Sequence, residues 1–165
     1  MQYVNMLLWK NFLIGKTVRM GKIMYTVLIV EDELLISVGL QNMIRWSDMN
    51  MSVIADARNG KQGLELYRQK KPDLIITDIK MPVMDGLEMI REIRKQDQTT
   101  KIIVLSSYEE FELVREAFKL GISDYILKLK LMPEEMESII RKVYRELLEE
   151  ATLLQKESNN TKDRY

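Results

Sequence analysis

The sequence contains no cysteine and no histidine among its 165 residues. Without cysteine, the chain has no disulfide, no thiolate nucleophile and no cysteine metal site. Without histidine, it lacks the serine–histidine pair of many hydrolases and the commonest side-chain ligand of transition metals. Carboxylates, hydroxyls and lysines are therefore the groups that remain for any chemistry.

An excess of charge of one sign is also absent, because 25 Lys and Arg residues balance 25 Asp and Glu residues. This balance gives no indication of a nucleic-acid or membrane partner. The absence of cysteine fits a reducing compartment, so we expect a cytoplasmic location. With 46% apolar residues, the chain is long enough for one compact domain and too short for two of full size.

Acidic residues are absent from the first 23 residues, which carry Lys10, Lys16, Arg19 and Lys22. Their apolar stretches are too short and too interrupted for a membrane span or a signal-peptide core. Two interpretations stay open for residues 1–23: a disordered or loosely helical extension, or translated sequence upstream of the native start. We favour the second, with Met24 as the start of the domain.

Five short apolar runs alternate with five segments that have apolar residues at helical spacing. The predicted strands are 26–30, 51–57, 73–77, 101–107 and 124–127. The predicted helices are 33–46, 61–70, 86–95, 109–120 and 133 to about 153, and we expect a frayed polar tail at 156–165. Strands this continuously apolar are typical of a parallel sheet covered on both faces, so the pattern predicts a doubly wound α/β domain.

Polar residues follow four of the predicted strands: Glu31 and Asp32, Asp78, Ser106 and Lys128. In open parallel sheets, ligands bind at this carboxyl edge of the strands. Three carboxylates placed together repel one another unless a cation or protons join them, and oxygen ligands of this kind favour Mg²⁺ over zinc. A lysine and a hydroxyl add donors for phosphoryl oxygens. We therefore hypothesise that Asp78 accepts a phosphoryl group.

Four motifs, "VLIVEDE", "PDLIITDIKMPVMDG", "IIVLSSY" and "DYILK", resemble in order and spacing the receiver domain of two-component response regulators. The resemblance covers roughly residues 24–148 and leaves 149–165 as the end of the last helix and a polar tail. It implies a flavodoxin-like fold, with five parallel strands in the order 2-1-3-4-5 and five helices. It also implies phosphorylation by a sensor histidine kinase, in a reaction that depends on Mg²⁺ and switches an interaction surface.

The resemblance assigns the phospho-acceptor and the metal ligands. Asp78 would accept the phosphoryl group, and Mg²⁺ would be held by Glu31, Asp32, Asp78 and the main-chain carbonyl of Lys80. Glu31 stands where the family more commonly has aspartate, and this change keeps the charge while lengthening the side chain by one methylene. The chain is not expected to be an enzyme beyond its self-phosphorylation and autodephosphorylation chemistry.

The resemblance also assigns a switch and a lysine that assists the chemistry. Ser106 would be the hydroxyl of the site and, together with Tyr125, the switch, while Lys128 would be the lysine. Lys130 in the repeated "KLK" is a second candidate, although its distance from Tyr125 is less usual for the family. Leu129 replaces the proline that the family usually has after the lysine, so we expect the Lys128–Leu129 bond to be trans.

A narrower resemblance links "MIRWSDMN" and "SSYEEFELVREAFKLGISDYILK" to receivers of AraC-type, YesN-like helix-turn-helix transcription factors. About ten polar residues follow the last predicted helix, too few for a DNA-binding fold. We therefore interpret the chain as a truncated form or a stand-alone receiver that contacts DNA only through a missing output domain. We expect phosphorylation to promote a homodimer through the fourth helix, fifth strand and fifth helix, with no membrane partner.

Two alternatives remain at this stage. The first is a receiver-like interaction module that is never phosphorylated, and Leu129 is its best support. The second is a haloacid-type phosphatase or another α/β hydrolase, which shares the chemistry of an aspartate nucleophile. That phosphatase class has a second aspartate two residues after the nucleophile, where this chain has Lys80, so the resemblance favours the receiver.

Overall fold

A computed structural model of the protein describes residues 17–19 and 22–162. Its strands are β1 (Thr17–Arg19), β2 (Lys22–Val30), β3 (Met51–Ala57), β4 (Leu74–Asp78), β5 (Lys101–Ser106) and β6 (Asp124–Leu127). Its α-helices are α1 (Leu34–Met43), α2 (Gly60–Lys70), α3 (Gly86–Arg94), α4 (Phe111–Lys119) and α5 (Pro133–Lys162). Short 3₁₀ helices cover Trp46–Met49, Tyr108–Glu110 and Lys128–Lys130.

Strands β2 to β6 are parallel and lie in the order β3-β2-β4-β5-β6. Counted as the five predicted strands, this is the order 2-1-3-4-5, so the predicted fold class is confirmed. The register places Val30 beside Thr77, Asp78 beside Leu105, and Ser106 beside Leu127. Since parallel strands end at the same edge, the residues that follow β2, β4, β5 and β6 meet there.

The sheet separates two apolar layers. Val27 and Ile29 of β2 point to one face, where α1 and α5 pack, and Leu28 and Val30 point to the other, where α2, α3 and α4 pack. These four side chains are at most 1% exposed. Burying such a side chain contributes about 1.5–3 kcal/mol, which explains why the strands are apolar on both faces.

The N-terminal extension is strand in the part that the structure describes. Residues 17–19 pair antiparallel with 22–24, and β2 begins four residues before the predicted strand. Both interpretations of residues 1–23 stay open, since only residues 17–19, 22 and 23 of the extension are described. Residues 1–16, 20 and 21 lie outside the described residues, and the native start at Met24 stays a prediction.

Two helices end more than one residue away from the predicted position. Helix α1 ends at Met43 and Ile44 is extended, since the Trp46 indole folds back and donates a hydrogen bond to the carbonyl of Leu40 at 3.2 Å. Helix α5 continues to Lys162 instead of ending near Leu153, so the tail predicted to be frayed is helical over 156–162. This segment contains neither glycine nor proline, the residues that most strongly end a helix.

Candidate functional site

Asp78 is the last residue of β4 and is 3% exposed. The loop that follows is held close to it, because the Gly86 amide donates a hydrogen bond to the carbonyl of Ile79 at 2.7 Å. A Cβ atom at Gly86 would lie 2.0 Å from the main-chain oxygen of Asp78, so only glycine fits there. The Asp78 carboxylate is oriented by the Ile79 amide, which donates to Oδ1 at 2.7 Å.

Lys128 joins the carboxylates of the site. Its Nζ donates to Asp78 Oδ2 at 2.8 Å, to Glu33 Oε1 at 3.0 Å and to Glu31 Oε1 at 3.3 Å. Lys130 is exposed, whereas Lys128 contacts Asp78, and the role of Lys128 in the chemistry stays a prediction.

The three carboxylates that Lys128 contacts belong to a cluster of four. Glu31, Asp32, Glu33 and Asp78 each place one oxygen within 4.8 Å of the others. Glu31 is fully buried and Asp32 is exposed, and both follow β2 directly. Glu33 is absent from the predicted site, although it stands next to the predicted pair in "VEDE", a third consecutive acid that signals the wider cluster. A dense set of carboxylate oxygens without nitrogen or sulfur is the donor set that Mg²⁺ accepts.

The electrostatics of the site disfavour the ionised acids. Burial raises the pKa of Glu31 to about 7, and the charge of Asp78 acts in the same direction. Burial also raises the pKa of Asp78, although its hydrogen bond to Lys128 partly offsets this. Burial alone would lower the pKa of Lys128, but the hydrogen bonds to Asp78 and Glu33 outweigh it and the net pKa is raised. One ammonium thus faces four carboxylates, and a divalent cation would relieve the remaining repulsion.

Two buried polar atoms of the site lack a hydrogen bond within the part of the chain that the structure describes. One is the hydroxyl of Ser106, the last residue of β5, and the other is Oε2 of Glu31. Lys128 Nζ lies 3.2 Å from that oxygen, outside hydrogen-bond geometry. Ser106 follows Leu105, which pairs with Asp78 in the sheet. Because such atoms are costly to leave unsatisfied, they suggest groups that become bonded in another state of the site.

Ser106 and Tyr125 lie on the same side of the sheet. Val104 pairs with Tyr125, and Ser106 pairs with Leu127, so the side chains of these four residues point to one face. Val104 belongs to the apolar layer covered by α2, α3 and α4, which identifies that face. The Tyr125 ring is 39% exposed and meets the ring of Phe118 in α4 edge-on, with centroids 5.9 Å apart.

The sequence of residues 27–141 matches the family model described as the response regulator receiver domain. The chain belongs to this family. The receiver is also similar to the REC domain of AraT, a response regulator from Geobacillus stearothermophilus, with 35% identity and a TM-score of 0.74. That match covers 77% of this chain and 98% of the AraT chain.

Two curated relatives of the receiver are named as transcriptional regulatory proteins. YesN of Bacillus subtilis (strain 168), whose name still describes it as uncharacterized, is 41% identical over 64% of this chain and 28% of its own. HptR of Staphylococcus aureus (strain NCTC 8325) is 35% identical over 77% of this chain and 49% of its own. The receiver therefore spans half or less of the length of these relatives. No helix among the described residues is long and apolar enough to cross a membrane.

The receiver departs from the family pattern at Leu129, and the consequence is local. No cis peptide bond occurs among the described residues, so the bond between Lys128 and Leu129 is trans, as expected. The "KLK" segment forms a 3₁₀ turn that leaves Leu129 81% exposed, while Lys128 still reaches Asp78. Lys80 is an exposed residue of the loop after β4, and the metal-binding role of its carbonyl stays a prediction.

Proposed function

We propose that Asp78 accepts a phosphoryl group from a sensor histidine kinase and that this phosphorylation switches an interaction surface of the receiver. One observation carries the proposal: a buried carboxylate at the carboxyl edge of the sheet is paired with Lys128 at 2.8 Å and stands among three further acids. A purely structural ion pair would not need four carboxylates for one lysine.

The transfer is a displacement at phosphorus. A carboxylate oxygen of Asp78 forms the new P–O bond while the bond from phosphorus to its donor breaks, a P–N bond for phosphohistidine or a P–O bond for acetyl phosphate. The Lys128 ammonium donates to Asp78 Oδ2 and is therefore close enough to bind an oxygen of the phosphoryl group on Asp78. The Ser106 hydroxyl can donate to another of these oxygens and so obtain the hydrogen bond that it lacks.

Mg²⁺ fits the residues present, because the cluster supplies only carboxylate oxygens and Glu31 Oε2 has no hydrogen-bond donor of its own among the described residues. The ligands would be Glu31, Asp32, Asp78 and the carbonyl of Lys80. When bound, the ion would neutralise negative charge that gathers between the acids and the phosphoryl oxygens. Mg²⁺ would bind the ionised form of Glu31, which burial disfavours by raising its pKa.

The switch would act through Ser106 and Tyr125. If the Ser106 hydroxyl moves to a phosphoryl oxygen, it vacates space on the same face of the sheet, and the Tyr125 ring can turn inward from its exposed position. Phe111 and Phe118 of α4 are also exposed, at 68% and 46%. This apolar surface next to β6 supports a phosphorylation-dependent homodimer through α4, β6 and α5.

Exposed apolar residues near the pocket support docking of a kinase. Leu34 and Leu35 begin α1 just after the acids, Val83 follows Asp78 in the next loop, and Leu129 follows Lys128. They are between 59% and 86% exposed. A partner that must bring a phosphorylated side chain to Asp78 would cover this edge.

The whole protein would regulate transcription in the cytoplasm, as an analogy with the regulatory proteins YesN and HptR suggests. In that view, a DNA-binding output domain acts with the receiver, and the kinase, the stimulus and the target genes are separate questions. The continuation of α5 to Lys162 would provide a helical connection to such a domain.

Intact mass measurement tests the proposal directly. Incubation with acetyl phosphate and Mg²⁺ is expected to add one phosphoryl group to the wild type and none to Asp78→Asn. Asp32→Ala is expected to lose Mg²⁺ and, with it, phosphorylation. A wild type that stays unmodified over hours at saturating Mg²⁺ contradicts the proposal.

Sedimentation velocity tests the switch separately. Ser106→Ala should still accept a phosphoryl group but lose much of the dimerisation that beryllofluoride, a phosphoryl mimic, induces in the wild type. If Ser106→Ala dimerises as fully as the wild type, the coupling between the hydroxyl and Tyr125 is wrong, while phosphorylation of Asp78 is unaffected.

The two alternative functions, an unphosphorylated interaction module and a phosphatase, have less support now than from the sequence alone. The unphosphorylated module rested on Leu129, yet Lys128 contacts Asp78 with a leucine after it. A phosphatase would need a second carboxylate two residues after Asp78, and Lys80 occupies that position. Sustained turnover of a phosphomonoester would support the phosphatase instead.

A further inference from the structure

We propose that Glu33 is a positioning residue, which holds Lys128 in the unphosphorylated receiver and releases it when Asp78 carries a phosphoryl group. The inference rests on the proposed function of Asp78. An ammonium has three donors. In this structure, Lys128 uses them on Asp78, Glu33 and Glu31, at 2.8, 3.0 and 3.3 Å.

A phosphoryl group on Asp78 brings new acceptor oxygens into the pocket. Lys128 has no unused donor, so it must give up one further carboxylate if it keeps its hydrogen bond to Asp78 and binds a phosphoryl oxygen as well. Asp78 itself becomes part of the phosphoryl site, which leaves Glu31 and Glu33 as the partners that can be exchanged.

The burial of these two acids decides which contact breaks. The Glu31 side chain is 0% exposed, so water cannot take the place of the lysine there. The Glu33 side chain is 61% exposed, so water can replace the lysine there. The main chain of Glu33 can stay in place meanwhile, because its amide donates to Glu31 Oε1 at 3.0 Å. Glu33 is therefore the group that competes with the phosphoryl oxygen for Lys128.

The competition predicts that weakening the Glu33 contact accelerates phosphorylation. Exposed ion pairs are weak, so we expect Glu33→Gln to react about two- to fivefold faster than the wild type with acetyl phosphate at saturating Mg²⁺. Glu33→Asp keeps the charge but has a shorter reach to Lys128, and it should be accelerated similarly. Glu65→Gln removes one exposed acid of α2 that is not among the three acids Lys128 contacts, and it should react at the wild-type rate.

A second readout follows the lysine itself. In ¹H–¹⁵N spectra of the ammonium groups without Mg²⁺, the Lys128 signal, assigned by its loss in Lys128→Arg, should exchange with water faster in Glu33→Gln and Glu33→Asp than in the wild type. Faster exchange together with faster phosphorylation in both variants supports the inference.

Three results contradict it: an unchanged or slower reaction of Glu33→Gln, wild-type behaviour of Glu33→Asp, or an acceleration of Glu65→Gln equal to that of Glu33→Gln. The last two would mean that charge alone matters, without the contact to Lys128. Each of these results leaves phosphorylation of Asp78 intact. Only a wild type that takes up no phosphoryl group overturns the proposed function as well.

Discussion

Two polar clusters lie at opposite edges of the same sheet, and their aspartates are held in opposite ways. Asp78, at the carboxyl edge, is crowded by other acids, and burial raises its pKa. Asp97, in the loop before β5, accepts hydrogen bonds from the main chain and hydroxyls of Thr99 and Thr100 and from the hydroxyl of Tyr67. Burial acts to raise its pKa as well, but these hydrogen bonds outweigh burial and hold the pKa well below its usual range.

The cation of each cluster shows the same contrast. Arg94, next to Asp97, is 8% exposed and donates to the carbonyls of Leu120, Asp97, Thr100 and Gly121 at 2.8–3.1 Å. Lys128 instead donates to three carboxylates, and a phosphoryl group on Asp78 would change these contacts. The two edges therefore differ in how their polar groups are bonded. The groups around Asp97 and Arg94 have hydrogen-bond partners and support folding, whereas Ser106 Oγ and Glu31 Oε2 at the other edge have none among the described residues.

Breaking the satisfied cluster should have the largest effect on stability. Asp97→Ala leaves five donor groups without their acceptor, so we expect the free energy of unfolding to fall by about 3 kcal/mol. Urea unfolding followed by circular dichroism measures this. Glu116→Ala breaks an exposed ion pair with Arg91 and serves as the control, with an expected change of less than about 0.5 kcal/mol. Equal losses of stability in both variants would mean that the hydrogen bonds of Asp97 contribute no more to folding than an exposed ion pair does.

The pH dependence of stability should come from the other cluster. The pKa of Glu31 rises from 4.5 to about 7 on folding, so the folded state binds its proton more tightly. Its stabilising contribution is fully present below pH 4.5 and is lost as the pH rises through about 7, a loss of about 3 kcal/mol.

In EDTA, the wild type should therefore be less stable at pH 8 than at pH 5, and Glu31→Gln should lose most of this slope. Asp97 acts in the opposite direction, but only at acid pH. Because its pKa is lowered on folding, its contribution is present above the unfolded value and disappears as the pH falls below it. A wild type with constant stability between pH 5 and 8, or an equal slope in Glu31→Gln, would contradict the raised pKa.

Removing the charge of Asp78 should raise the free energy of unfolding, whereas removing the charge of Asp97 should lower it. The change at Asp78 should be the smaller of the two. Asp78→Asn keeps the shape, removes one of four crowded acids and leaves Lys128 its contacts to Glu31 and Glu33, so we expect a gain of about 1 kcal/mol at pH 7 without Mg²⁺. The comparison with Asp97→Asn, which should lose stability, uses the same chemical change at both edges. Destabilisation by Asp78→Asn would show that its pairing with Lys128 outweighs the repulsion among the acids.

Most of the fold could be predicted because its signals are local. Strands β3 and β6 have the predicted bounds, since their runs are short and apolar and turn residues flank them. Helix ends were harder. The end of α1 depends on the Trp46 indole, and the length of α5 depends on the weak helix preferences of an exposed tail. Neither is visible in the spacing of apolar residues.

The site was predictable where position alone determines the contact. Asp78 and Lys128 end neighbouring parts of one sheet edge, and the resemblance to receivers assigned them together. Glu33 was missed, because its contact with Lys128 depends on how an exposed side chain turns toward a lysine 95 residues away. The Asp97 cluster was also missed, since hydroxyls and main-chain amides of a loop carry no pattern in the sequence.

The dependence of stability on Mg²⁺ tests the central claim, that the acids at the carboxyl edge can bind a divalent cation. We expect the free energy of unfolding of the wild type at pH 7.5 to rise with Mg²⁺ along a one-site binding curve. The rise should reach about 1.4 kcal/mol at ten times the dissociation constant, while Asp32→Ala shows none. Identical unfolding curves of the wild type in EDTA and in Mg²⁺, or an equal rise in Asp32→Ala, would contradict the claim.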